Sequence, residues 1–153
     1  MNPEEVKYIV IHCSATRSNM QYTAFQLDRD HRKRGFRMAG YHYYITRAGE
    51  IEPMRSLRSE GAHVRGYNHC SIGVCYEGGL LPDGTPADTR TREQKVALRG
   101  LVSYLRERFP QALVVGHRDL SPDLNGNGIV ESHEWLKVCP CFDAFAEYLK
   151  PQK

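Results

Sequence analysis

Tyr8-Ile9-Val10-Ile11-His12 and Leu113-Val114-Val115-Gly116-His117 are the two stretches from which the fold can be read. Each is a short apolar run, rich in β-branched residues, that stops on a histidine. Such runs suit buried strands, so the chain is expected to deliver two imidazoles at strand ends. A third stretch, Lys137-Val138-Cys139-Pro140, offers a thiolate with a cation two residues before it. Two histidines and one cysteine make a three-ligand zinc site with the fourth position open. Structural zinc is usually closed by four protein ligands, so the open pattern points to hydrolytic chemistry. His12, His117 and Cys139 are therefore the expected zinc ligands, with Cys141 and His133 as nearby alternatives for the third and Asp143 as a fallback.

Working outward, Thr23 with Gln26, and Thr91 with Gln94, form two capping-box patterns that should start helices. Gly35 can end the first helix. The second continues through Leu98, Leu101, Val102, Leu105 and Phe109 at helical spacing until Pro110 stops it. Tyr41–Thr46 and Glu50–Pro53 flank Arg47-Ala48-Gly49 as a hairpin. Ser71–Tyr76 reads as another strand, closed by Gly78-Gly79. Leu80–Arg90, with Pro82, Asp83-Gly84 and Pro86, has the chemistry of a loop. Phe142–Leu149 is expected to form a short terminal helix. The expected fold is a single α/β domain over residues 1–153, with a central mixed β-sheet flanked by helices.

The 153 residues are 41% hydrophobic and 25% charged, the balance of a chain with one continuous core rather than a disordered one. A net charge of +3 suits a polyanionic surface but gives no ground for nucleic acid as a partner. Met1–Lys7 lacks a basic region followed by an apolar run, so no signal peptide is expected. No stretch approaches the roughly 20 apolar residues of a membrane span. Five cysteines, an odd number without a secretory leader, argue against a disulfide framework. Cys13, Cys70 and Cys75 read as small buried hydrophobes.

Six strings, in order along the chain, carry a family resemblance: Val10–Thr16, Gly40-Tyr41-His42, Gly61-Ala62-His63, Gly66–His69 with Ser71–Val74, Gly116-His117, and Lys137–Pro140 leading to Phe142-Asp143. Together they resemble the zinc-dependent N-acetylmuramoyl-L-alanine amidases of the phage-lysozyme type, related to peptidoglycan recognition proteins. The resemblance implies a central mixed sheet with helices on its faces, and zinc at the base of a surface cleft. It implies His12, His117 and Cys139 as ligands and Tyr41 and Lys137 as catalytic residues. His42, His63, Asn68 and His69 are expected to line the substrate groove or support the ligands. The implied reaction is hydrolysis of the amide between N-acetylmuramic acid and L-alanine of the stem peptide. A peptidoglycan-binding module without catalysis is the alternative from another class, and a regulatory protein–protein binder is a third. The expected protein is a monomer, made in the cytoplasm and phage- or prophage-encoded, that reaches the bacterial wall after release.

The chain departs from the small phage enzymes in an insertion at residues 120–136. Asp123, Asn125, Asn127, Gly128 and Glu134 occupy positions 1, 3, 5, 6 and 12 of a calcium loop, with Ile129 offering its carbonyl. Calcium is accordingly a second expected ion, with a solvated polar turn as the plain alternative.

Overall fold

The computed structural model describes residues 1–122, 130 and 138–149. Five strands form one mixed sheet: β1 (Tyr8–Cys13), β3 (Tyr43–Ile45), β4 (Ile51–Pro53), β5 (Ser71–Tyr76) and β7 (Leu113–Gly116), in the order β4-β3-β5-β1-β7. β1 is parallel to both β5 and β7, and β3 is parallel to β5; the β3–β4 hairpin is antiparallel. Two-residue strands β2 (Thr16–Arg17) and β6 (Gly79–Leu80) pair separately. The helices are α1 (Ala24–Lys33), α2 (Arg92–Arg108) and α3 (Ala144–Glu147).

Both expected capping boxes are present: Thr23 and Gln26 close the start of α1, and Thr91 and Gln94 that of α2. Each satisfies two backbone N–H groups that the first helical turn leaves over. The alternation of side chains along the strands then sorts the two faces of the sheet. Ile9 and Ile11 of β1, Ile72, Val74 and Tyr76 of β5, and Val114 of β7 join one core with Leu98, Val102 and Leu105 of α2. The opposite face carries Val10 and Val115 in one cluster, and Tyr44 and Cys75 against Leu27 of α1 in another. His12 has the parity of Val10, and His117 that of Val115. Alternation therefore puts both histidines on the α1 face, away from α2.

Candidate metal centre

Register brings the two histidines together. Ile11 of β1 pairs with Gly116 of β7, so His12 and His117 leave neighbouring parallel strands side by side. Their ring centroids are 4.7 Å apart. Cys139 arrives from a segment tied down at several points. Arg118 N–H donates to the Cys139 carbonyl at 2.9 Å, and the Tyr76 hydroxyl donates to the Pro140 carbonyl at 2.6 Å. Gly116 makes this approach feasible, because a Cβ there would stand 2.6 Å from Pro140 Cδ. The Cys13 backbone N–H donates to Cys139 Sγ at 3.1 Å, which fixes the position of the sulfur.

One donor atom from each of His12, His117 and Cys139 lies within 4.8 Å of the other two. Two imidazole nitrogens and a sulfur at this spread fit a zinc ion, which draws such ligands to about 2.0–2.3 Å. Cys139, rather than Cys141, joins the histidines. Cys141 Sγ lies 3.9 Å from Cys13 Sγ, and its backbone has φ +71°. Asp143 caps α3, accepting from Ala146 N–H at 3.0 Å.

The trio opens into a cavity of about 310 Å³ whose wall includes Tyr41, His63, His31 and Asp30 of α1, and Arg34 just after it. His12 is buried, and its ring contacts Tyr41 and His63 at centroid separations of 5.0 and 4.9 Å. His12 Nε2 is 2.8 Å from His63 Nδ1, and His63 Nε2 is 3.2 Å from Ser71 Oγ. Burial holds the Tyr41 phenol well above its ordinary pKa, reinforced by the Cys75, Cys139 and Cys13 thiols. The same desolvation pushes the His63 imidazole down to about 3. The Cys13 thiol is pushed up to about 12, first by its hydrogen bond with Cys139. Tyr41, His63 and Cys13 thus all favour their neutral forms beside the Cys139 sulfur.

The remaining expected residues separate by burial. His42 is fully buried, donating from Nε2 to the Ser59 carbonyl at 2.8 Å and accepting from Gly73 N–H at Nδ1 at 3.0 Å. With both ring nitrogens committed to backbone, it braces β5 and is not among the residues that line the cavity. Asn68 Oδ1 accepts from the N–H groups of His63 and Val64 at 2.9 and 3.0 Å, so its acceptor shapes the loop that carries His63. His69 is exposed on the turn Asn68–Cys70, and neither it nor Asn68 lines the cavity. Lys137, His133 and the expected calcium ligands Asp123, Asn125, Asn127, Ile129 and Glu134 lie outside the described residues.

Sequence reasoning missed His31 and Ser71. His31 sits one helical turn after Leu27 on the buried face of α1, and its Nδ1 accepts from Gly40 N–H at 2.8 Å. The i, i+4 spacing with Leu27 was the available signal. Ser71 opens a strand in which nothing local distinguishes its hydroxyl.

Comparison with known proteins places these features in context. The family described as N-acetylmuramoyl-L-alanine amidase matches residues 2–134. The endolysin of Enterobacteria phage K11 is 35% identical over 140 residues, covering 92% of this chain and 83% of that protein. The endolysin of Escherichia phage T7 is 32% identical, also over 140 residues, with the same coverage of 92% and 83%. Among solved structures, the endolysin amidase LysCS from Clostridium intestinale URNW superposes with a TM-score of 0.70 at 26% identity, covering 92% of this chain and 78% of that one. Bumblebee PGRP-SA shares the fold, with a TM-score of 0.68 at 18% identity over 94% of this chain and 80% of its own.

Proposed function

The chain belongs to the N-acetylmuramoyl-L-alanine amidase family, and from that premise we propose that it hydrolyses the amide between the lactyl group of N-acetylmuramic acid and L-alanine in peptidoglycan, using zinc held by His12, His117 and Cys139. The observation that carries this reading is the meeting of those three donor atoms, all within 4.8 Å of one another, at the wall of an open cavity. The endolysin relatives support a phage-encoded protein that acts on the bacterial wall.

An unactivated amide resists water because the nucleophile is weak and the tetrahedral transition state carries an oxyanion. Zinc in this site would supply polarisation of the carbonyl and acidification of water. The chain's own residues do the rest. Tyr41 lines the cavity, and its phenol, held protonated by burial and hydrogen-bonded to the Cys75 thiol, cannot serve as a base at neutral pH. It orients the reacting amide and assists proton delivery to the leaving amine. Lys137, two residues before Cys139 in sequence, stabilises the oxyanion, a contribution of about 3 kcal/mol for one well-placed donor. Cys13 N–H holds the Cys139 sulfur in place, and Asp30 and Arg34 give the cavity wall charges of both signs for the polar stem peptide.

The test is wall solubilisation by zinc-loaded and chelator-stripped protein, alongside Cys139→Ser, Tyr41→Phe and Lys137→Ala. Loaded wild type should digest the wall and stripped protein should not. Cys139→Ser should lose zinc, whereas Tyr41→Phe and Lys137→Ala should keep zinc and lose turnover. Near-normal digestion by the last two variants would refute their roles.

A further inference from the structure

A chain of hydrogen bonds runs inward from His12 and has only one consistent direction. Ser71 Oγ is 2.7 Å from the Tyr67 carbonyl and 3.2 Å from His63 Nε2. A carbonyl cannot donate, and a hydroxyl has one proton, so that proton lies on the shorter contact to Tyr67. Ser71 Oγ must then accept from His63 Nε2–H. A neutral imidazole with its proton on Nε2 presents a lone pair at Nδ1. His63 Nδ1 is 2.8 Å from His12 Nε2, which therefore donates to it. His12 is left as the Nε2–H tautomer, with its lone pair on Nδ1.

We propose that His63 is a positioning residue that locks His12 in the Nε2–H tautomer and so presents His12 Nδ1 to the metal, with Ser71 and the Tyr67 carbonyl anchoring the lock. The proposal rests on the reading of His12 as a metal ligand. The packing is built around this ring. Gly73, directly beneath it on β5, would place a Cβ 2.7 Å from His63 Cγ, and Gly61 would place one 2.5 Å from His63 Cδ2. Asn68 Oδ1 meanwhile holds the backbone N–H of His63 itself at 2.9 Å. Two side-chain-free positions, a tethered backbone and a partner on each ring nitrogen leave the imidazole one orientation. A ligand histidine whose second nitrogen is engaged in this way binds metal with its ring and tautomer already chosen.

Long-range 1H–15N correlation spectra of the metal-free protein read the tautomers directly. Both His12 and His63 are expected as neutral Nε2–H forms, and His12 as the Nδ1–H form would overturn the proposal. His63→Asn keeps an acceptor at the position of Nδ1, whereas His63→Ala removes it. In chelator competition, His63→Ala should weaken zinc binding about 10–100-fold, and His63→Asn should recover most of that loss. Equal weakening in both variants would also overturn the proposal. Should His63→Ala fail to fold, the wild-type spectra and the comparison of His63→Asn with wild type still decide it. A wild-type protein that shows the expected tautomers yet binds no zinc would sink the metal reading and leave the hydrogen-bonded lock in place.

Discussion

Gly73→Ala is the sharpest perturbation of the site that leaves every polar side chain in place. The new methyl would sit 2.7–2.8 Å from Cγ, Cδ2 and Nδ1 of His63. Non-bonded carbons prefer about 3.5–4.0 Å, so the ring must retreat by roughly 0.7–1 Å. That movement breaks the 2.8 Å contact to His12, because the ring is gripped at both nitrogens. Overpacking of a core costs about 1–3 kcal/mol, and a lost buried hydrogen bond adds about 1 kcal/mol. Backbone entropy works the other way, since Ala is favoured over Gly in a strand by about 0.5–1 kcal/mol. A net loss of about 1–3.5 kcal/mol follows, which at a urea m-value of about 2 kcal/mol/M moves the midpoint by roughly 0.5–2 M. The assay is urea unfolding of metal-free protein, with zinc affinity measured in parallel. In a His63→Ala background the same methyl enters the space the ring has vacated, so its cost should fall below about 1 kcal/mol. A Gly73→Ala protein as stable as wild type, or one that costs the same with and without His63, would refute this picture.

Three further outcomes follow from the same contacts. His63 is held down to about 3 by burial, and His31 and His42 are lowered for the same reason. A depressed folded-state pKa means stability that is complete above the unfolded value of about 6.5 and lost as pH falls below it, for His63 down to about 3, at up to about 1.4 kcal/mol per pH unit for each group. Metal-free His63→Asn should therefore lose stability less steeply than wild type between pH 6 and 4 in denaturant titrations, and an unchanged slope would contradict the assignment. Arg90, whose side chain is 2% exposed, bridges Asp88 and Glu147 at 2.8–3.0 Å and stacks on Phe142, tying α3 to the segment before α2. Arg90→Met should destabilise by about 3 kcal/mol, the lower end for a broken buried pair because both carboxylates can rehydrate, and Arg90→Lys should recover little without the forked guanidinium. Thermal unfolding checks both, and a change below about 1 kcal/mol would count against the bridge. Calcium titrated into the zinc-loaded protein should release heat that Glu134→Gln abolishes, and a flat isotherm would remove calcium from the account.

Much of this arrangement was legible because it is local. Ser71–Tyr76 is β5 as expected, and Thr23 and Thr91 cap their helices through partners three residues away. The meeting of His12, His117 and Cys139 was legible because each closes an apolar run or precedes a proline. What stayed hidden depends on contacts distant in sequence. The expected strand from Tyr41 begins only at Tyr43, because the His42 side chain is drawn to the N–H of Gly73 on β5. The β2–β6 pair spans more than 60 positions and has no local pattern to announce it. His42 and His63 look alike in sequence, yet one is sealed between backbone groups and the other touches His12. Only the parity of β5 and the glycines at 61 and 73 separate them.

The most direct test is to digest purified peptidoglycan with zinc-loaded protein and identify the new ends by mass spectrometry. Cleavage at the lactyl–L-alanine amide predicts free L-alanine amino termini, no new reducing sugars, and no products from stripped protein. New reducing ends, or wall bound intact without cleavage, would contradict the assignment of His12, His117 and Cys139 to amide hydrolysis.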